Sequence, residues 1–136
     1  MKAGHATIKH RRILRPAAVA VGILILGCGA IQTYPGPALP SDQVAVLEIG
    51  NVVLYALDGE PVNLGHQRKL QMLPGEHLLR ASHNMSGYPE QVITYTFTAE
   101  PGHAYRFDAD YKIERTLAWR PWIKDAADGK IVGGWK

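Results

Sequence analysis

From Asp42 onward, large apolar and polar residues alternate with a period close to two, and runs rich in β-branched and aromatic residues stop at Gly, Pro and Asp-Gly signals. That period predicts strands, with little or no helix. Residues 43–48 and 52–57 read as central strands, separated by Gly50-Asn51 and closed by Asp58-Gly59, a pair that tolerates positive φ. Pro61 keeps the next few residues out of a ladder. Residues 68–73 set Lys69 and Gln71 against Leu70 and Met72 and end at Pro74-Gly75, and residues 77–83 resume a strand. The clearest strand is 91–99, with Val92, Thr94, Thr96 and Thr98 on one face and Ile93, Tyr95 and Phe97 on the face assigned to the core. Glu100-Pro101-Gly102 then returns the chain along 103–111, which predicts a hairpin. Beyond Lys112 the pattern weakens to a strand over 115–123, interrupted at Pro121, and a short last strand over 131–135. The spacing of strands and turns predicts an all-β domain, a single small β-sandwich or partly open barrel.

The N-terminus follows a different pattern. Lys2, Lys9, Arg11, Arg12 and Arg15 precede an apolar run from Ala17 to Leu26, which ends at the only cysteine, Cys28. The charged-then-apolar order is that of a secretory signal, expected to be helical. The run falls short of the about 20 apolar residues that a membrane span needs. Ile25-Leu26-Gly27-Cys28 resembles the bacterial lipobox. The resemblance implies a diacylglycerol on the Cys28 thiol, cleavage between Gly27 and Cys28, and palmitate-type acylation of the new amine. An uncleaved N-terminal anchor with an inert thiol is the alternative. Residues 1–27 are therefore expected to be a lipoprotein signal peptide and residues 43–136 the β-sandwich domain. Between them, residues 28–42 carry Tyr34-Pro35-Gly36-Pro37 and Pro40 without apolar periodicity, and read as an acylated cysteine followed by a Pro-rich tether. The same stretch reads equally well as a strap packed back on the domain, because a free linker has little use for Tyr34 and Leu39.

Processing changes what the charge means. The chain has 15 Lys and Arg against 12 Asp and Glu, but five of the basic residues precede Cys28, which leaves the 109 residues that follow processing slightly acidic. The basic pI belongs to the signal, and nothing argues for a nucleic-acid partner. A length near 109 suits one domain. With its one cysteine expected to be acylated, that domain has no disulfide, thiolate zinc site or cysteine nucleophile, and rests on apolar burial.

Asp58-Gly59-Glu60-Pro61, Leu73-Pro74-Gly75-Glu76-His77-Leu78, Gly87-Tyr88 and Pro101-Gly102 resemble, in this order, the turns of the PEGA type of bacterial surface domain. The likeness covers about residues 52–111 and implies a small PEGA-like or immunoglobulin-like sandwich without catalytic residues. The whole arrangement is also similar to small Gram-negative lipoproteins that carry a Tyr-Pro-Gly-Pro segment after the acylated cysteine.

Candidate chemistry is sparse. His66, His77, His83 and His103 stand among Glu76, Asp108 and Asp110, and a metal site would need three such groups to converge. Their spacing is not that of a local site, and no metal or other cofactor is expected. His77 and His83 are six apart and share a face if one strand carries both. Ser41, Ser82 and Ser86 lack a nucleophile elbow, and the scattered glutamates form no evident acid–base pair. Asn84-Met85-Ser86 reads as a polar turn. The candidate interaction surface is Trp119, Arg120 and Trp122 with Trp135, since Trp and Arg are enriched where partners bind tightly. Burial in the core is the other use of these tryptophans.

The sequence thus predicts a non-enzymatic, lipid-anchored protein, held in the membrane through Cys28 and acting as a binding or structural module toward an envelope protein or the cell wall. Gly29, where an aspartate would favour the inner membrane by resemblance to known sorting, suggests the outer membrane facing the periplasm. A small-ligand or metal carrier using a histidine-bearing sheet face is the alternative.

Overall fold

Alternating apolar residues reach the interior of this molecule from two opposed sheets. The computed structural model describes residues 29–135; the expected signal helix and Cys28 lie outside them. In chain order the strands are β1 (Ala30–Gln32), β2 (Ala45–Ile49), β3 (Val52–Leu57), β4 (Glu60–Pro61), β5 (Lys69–Met72), β6 (Gly75–His83), β7 (Ile93–Ala99), β8 (Ala104–Ile113), β9 (Leu117–Asp125), β10 (Ile131–Val132) and β11 (Gly134–Trp135). One 3-10 turn, Ser41–Gln43, is the only helical element among the described residues. Strands β1-β5-β2-β8-β9-β10 form one sheet in that order and β11-β7-β6-β3-β4 the other. The domain is an all-β sandwich.

Period two places one set of each strand inside. Leu70 and Met72 of β5 are fully buried, with Gln71 half-buried between them and Lys69 exposed. Tyr95 and Phe97 of β7 and Tyr105 and Phe107 of β8 all point inward, and they meet across the two sheets. Phe97 lies edge-on to Tyr105 at 5.3 Å between ring centres, and Tyr95 lies 5.8 Å from Phe107. Each such aromatic supplies about 3–5 kcal/mol relative to alanine at a core position.

This contact explains the main departure from the sequence pattern. Strands β7 and β8 are not a hairpin: β7 pairs with β6 and β11, and β8 pairs with β2 and β9. The chain crosses from one sheet to the other through residues 100–103, a crossing fastened where the Tyr105 hydroxyl accepts the Glu100 N–H at 2.8 Å. A hairpin would set the four aromatics side by side in one sheet, whereas the crossing stacks them between two.

The expected last strand also divides. Ile131 and Val132 join β9, Gly133 turns at φ 79°, and Gly134 and Trp135 join β7 in the other sheet. Only glycine fits at this switch. A Cβ there would overlap Thr96 O and stand 2.6 Å from the Phe97 Cβ.

Pro121 does not interrupt β9, which continues to Asp125. The Asp125 N–H donates outward to Lys130 O, so residues of the same parity, including Ile123, Pro121 and Trp119, turn their backbone groups toward that edge. β10 covers only Lys124 and Ile123. Pro121 therefore faces an uncovered edge, where its missing N–H costs no ladder bond.

Residues 30–40, expected as a tether or a strap, lie against the domain. β1 pairs in parallel with β5, and the Thr33 N–H extends the pairing by donating to Gln71 O at 3.0 Å. Tyr34 is buried, and its hydroxyl accepts the Leu39 N–H at 3.1 Å, which closes the Pro-rich turn on itself. The Gln32 side chain donates to Tyr34 O and Gly36 O. The sheet thus begins at Ala30, ahead of the boundary expected at residue 43.

Candidate interaction surface

Four residues were candidates for one surface, and the strands separate them. Trp119 and Trp122 are three apart on β9, an odd spacing that puts them on opposite faces. Trp119 is buried, donates its indole N–H to Gln91 Oε1 at 3.0 Å, and meets His83 edge-on at 5.9 Å and Tyr111 in a stack at 6.4 Å. It closes one end of the core. Arg120 and Trp122 face outward together on the first sheet, while Trp135 belongs by its backbone to the second, opposite Tyr95.

The outer face around Trp122 is ordered by cross-strand pairs. Trp122 stands opposite Asp108, and Arg120 opposite Asp110. The Trp122 indole N–H donates to Asp110 Oδ1 at 3.2 Å, and the Lys124 ammonium sits 4.1 Å from the ring centre. Next to it, Arg106 bridges two strands, reaching Glu48 Oε1 at 2.8 Å and Asp108 Oδ2 at 3.0 Å. Partial burial pushes the Asp108 carboxyl up, but the N–H bonds from Ala109 and Asn51 and the Arg106 guanidinium outweigh it and hold the group below the usual carboxylate range. Asp108 remains charged. A half-exposed indole with cations on either side and a fixed carboxylate row is a surface that can take a polar partner with an aromatic or acidic contact.

The histidines do something else. His77 and His83 share the inward face of β6. His77 lies between Asp58 Oδ2 and Leu73 O, each 2.6 Å from a ring nitrogen, while Asp58 Oδ1 accepts the Leu78 N–H. The His83 Nε2 lies 2.8 Å from Pro89 O, and its Nδ1 accepts the Met85 N–H at 3.2 Å, which places the proton on Nε2. His103 joins Asp125 Oδ2 at 2.6 Å and Glu100 Oε2 at 3.2 Å. Each ring fastens a connection: His77 the Asp58-Gly59 turn, His83 the 84–89 loop, His103 the crossing between sheets. The Asp125 bond raises the His103 pKa, and the His103 bond together with the Ala127 N–H holds the Asp125 carboxyl down. Among the described residues no group of three His, Cys, Asp or Glu side chains is placed to hold a metal ion.

Ser82 is buried, with its hydroxyl accepting the Gln91 N–H at 3.1 Å, and Ser41 and Ser86 lie exposed in turns. A groove of about 490 Å³ runs along β7 and the Val132-Gly133-Gly134 switch, and Glu76 is its one titratable side chain. Sequence reasoning missed Asp125, whose partner His103 is far away in the chain and whose only signal was a carboxylate opening an Asp-Ala-Ala-Asp-Gly turn. No helix of the described residues is long and apolar enough to cross a membrane. Comparison with protein-family models, curated proteins and solved structures gave no match.

Proposed function

We propose that this chain is a lipid-anchored envelope protein whose β-sandwich serves as a non-catalytic binding or structural module, held by acyl chains on Cys28 at the periplasmic face of the outer membrane. The observation that carries the reading is the order of the N-terminal residues: five cations, an apolar run, Ile25-Leu26-Gly27-Cys28, and then β1 at Ala30. A cut before Cys28 leaves every strand of the described residues in place. Support for a module without chemistry comes from the His77–Asp58 and His103–Asp125 pairs, which are engaged in fastening connections. The partner-facing candidate is the outer strip of Arg120, Trp122 and Lys124, suited to an envelope protein or the cell wall. His77 and His83 point inward and bond to protein atoms, which weighs against a carrier face built on these two rings.

Intact mass of the membrane-extracted protein, wild type against Cys28→Ala, tests the anchor. A product starting at Cys28 with the added mass of acyl chains, absent from the variant, is expected. An unmodified chain of full length overturns the reading.

A further inference from the structure

We infer that residues 63–69, the end of the loop between β4 and β5 with the first residue of β5, form the seat of the anchored domain, with Arg68 and Lys69 held against the headgroups of an anionic phospholipid layer. This deepens the anchor reading and rests on it. The Pro-rich segment follows β1 and packs on the domain, so it puts no spacer between Cys28 and the fold. Only Gly29 lies between Cys28 and Ala30, so the two are two chain steps apart, a reach of about 7 Å at full extension. Ala30 is the register partner of Lys69 in the parallel pair, one strand spacing or about 5 Å away. The Gln67 side chain covers Gly29 closely enough that a Cβ there would collide with its Oε1. Whatever direction Cys28 takes, its acyl chains start beside this loop.

The charges agree with that placement. Arg68 and Lys69 are exposed and make no ion pair among the described residues; Arg68 only donates to Gly50 O at 3.3 Å. The β8–β9 ribbon extends past Ile49 in the same direction and carries Arg115 to its tip, where Lys112 is paired with Glu114 at 2.8 Å. At the other end of the strands lie Asp58, Glu76, Glu100 and Asp128. The anchor thus leaves beside Arg68 and Lys69, and Glu48, the strand partner of Lys69, is taken up by Arg106 at 2.8 Å. Headgroup phosphates next to Cys28 fall within the screening length of about 8 Å for the long side chains of Arg68 and Lys69, and each cation near such a surface favours contact by roughly fivefold.

The test uses the processed protein, extracted with its acyl chains and checked by intact mass. It is reconstituted into vesicles of phosphatidylcholine alone or mixed with phosphatidylglycerol, and amide exchange is followed by mass spectrometry. Exchange over 63–69 should slow on the anionic vesicles by roughly tenfold or more, and Arg68→Gln/Lys69→Gln should abolish the slowing. Should the double variant unfold, Lys69→Gln alone, at an exposed side chain, should remove about fivefold. Equal exchange over 63–69 on both vesicles, or slowing confined to the ribbon tip at 113–116, overturns the seat while the acyl mass leaves the anchor standing. Absence of the acyl mass overturns both.

Discussion

At the scale of single residues, the most informative groups are those that join connections far apart in sequence. His103 ties the crossing at residues 100–103 to the turn after β9 through Asp125. Its pKa is raised in the fold, so the bond stabilises fully below the ordinary histidine value near ~6.5 and is lost as pH climbs through the raised one. Asp125 is lowered, so its share is present above ~3.9 and is lost as pH falls through the depressed value. The two windows overlap between about pH 4 and 6.5, with Glu100 and Asp128 adding charge that favours the imidazolium. We expect the urea midpoint of the wild type to decline from pH 6 to pH 8, and that of His103→Gln to stay flat over the same range. Parallel slopes for the two proteins would remove this role from His103. None of this pairing was legible beforehand, because a histidine and a carboxylate 22 positions apart carry no mutual signal until the sheets bring them together.

At the scale of elements, the pattern of alternation proved enough to find the strands and their inward faces, Tyr95 with Phe97 and Leu70 with Met72 among them. It could not say which sheet a strand joins. A hairpin and a crossing both reverse the chain and both turn the same residues inward, and the difference lies in whether Phe97 meets its neighbour beside it or Tyr105 across the core. β1 escaped notice for another reason: three residues in parallel pairing need no alternation. The two tryptophans, by contrast, could have been separated from sequence, since an odd spacing along a strand places side chains on opposite faces. Pro121 shows what an apparent breaker does at an edge. It removes the donor that an incoming strand would pair with, and such blocking of open edges limits strand addition between copies. Replacement by Val restores that N–H and keeps an apolar side chain at this buried position. We expect Pro121→Val to fold and to self-associate in a concentration-dependent way by sedimentation velocity, where the wild type does not. A variant as monomeric as the wild type would show that the edge is guarded by something else.

At the scale of the whole molecule, the fold is closed by pieces that a reading of strand periodicity leaves outside the domain. Without a disulfide in reach, the sandwich depends on covering its edges with short segments: β10 over part of β9, β11 over β7, and β1 with its Pro-rich turn over β5. The last of these matters most, since β5 supplies Leu70 and Met72 to the centre of the core. Tyr34 and Ile31 bring apolar area to that edge, each worth about 1.5–3 kcal/mol when fully buried and less for Ile31, which is only partly covered. A chain starting at Gln43, where composition alone would place the start of the domain, leaves β5 as a bare edge. It should unfold at lower urea than a chain starting at Gly29, with a loss of about 3 kcal/mol and a slightly shallower dependence on denaturant, because less surface is exposed on unfolding. Equal midpoints would mean that residues 30–42 only lie on the surface, and the distance between Cys28 and the domain would then be set by a segment free to detach.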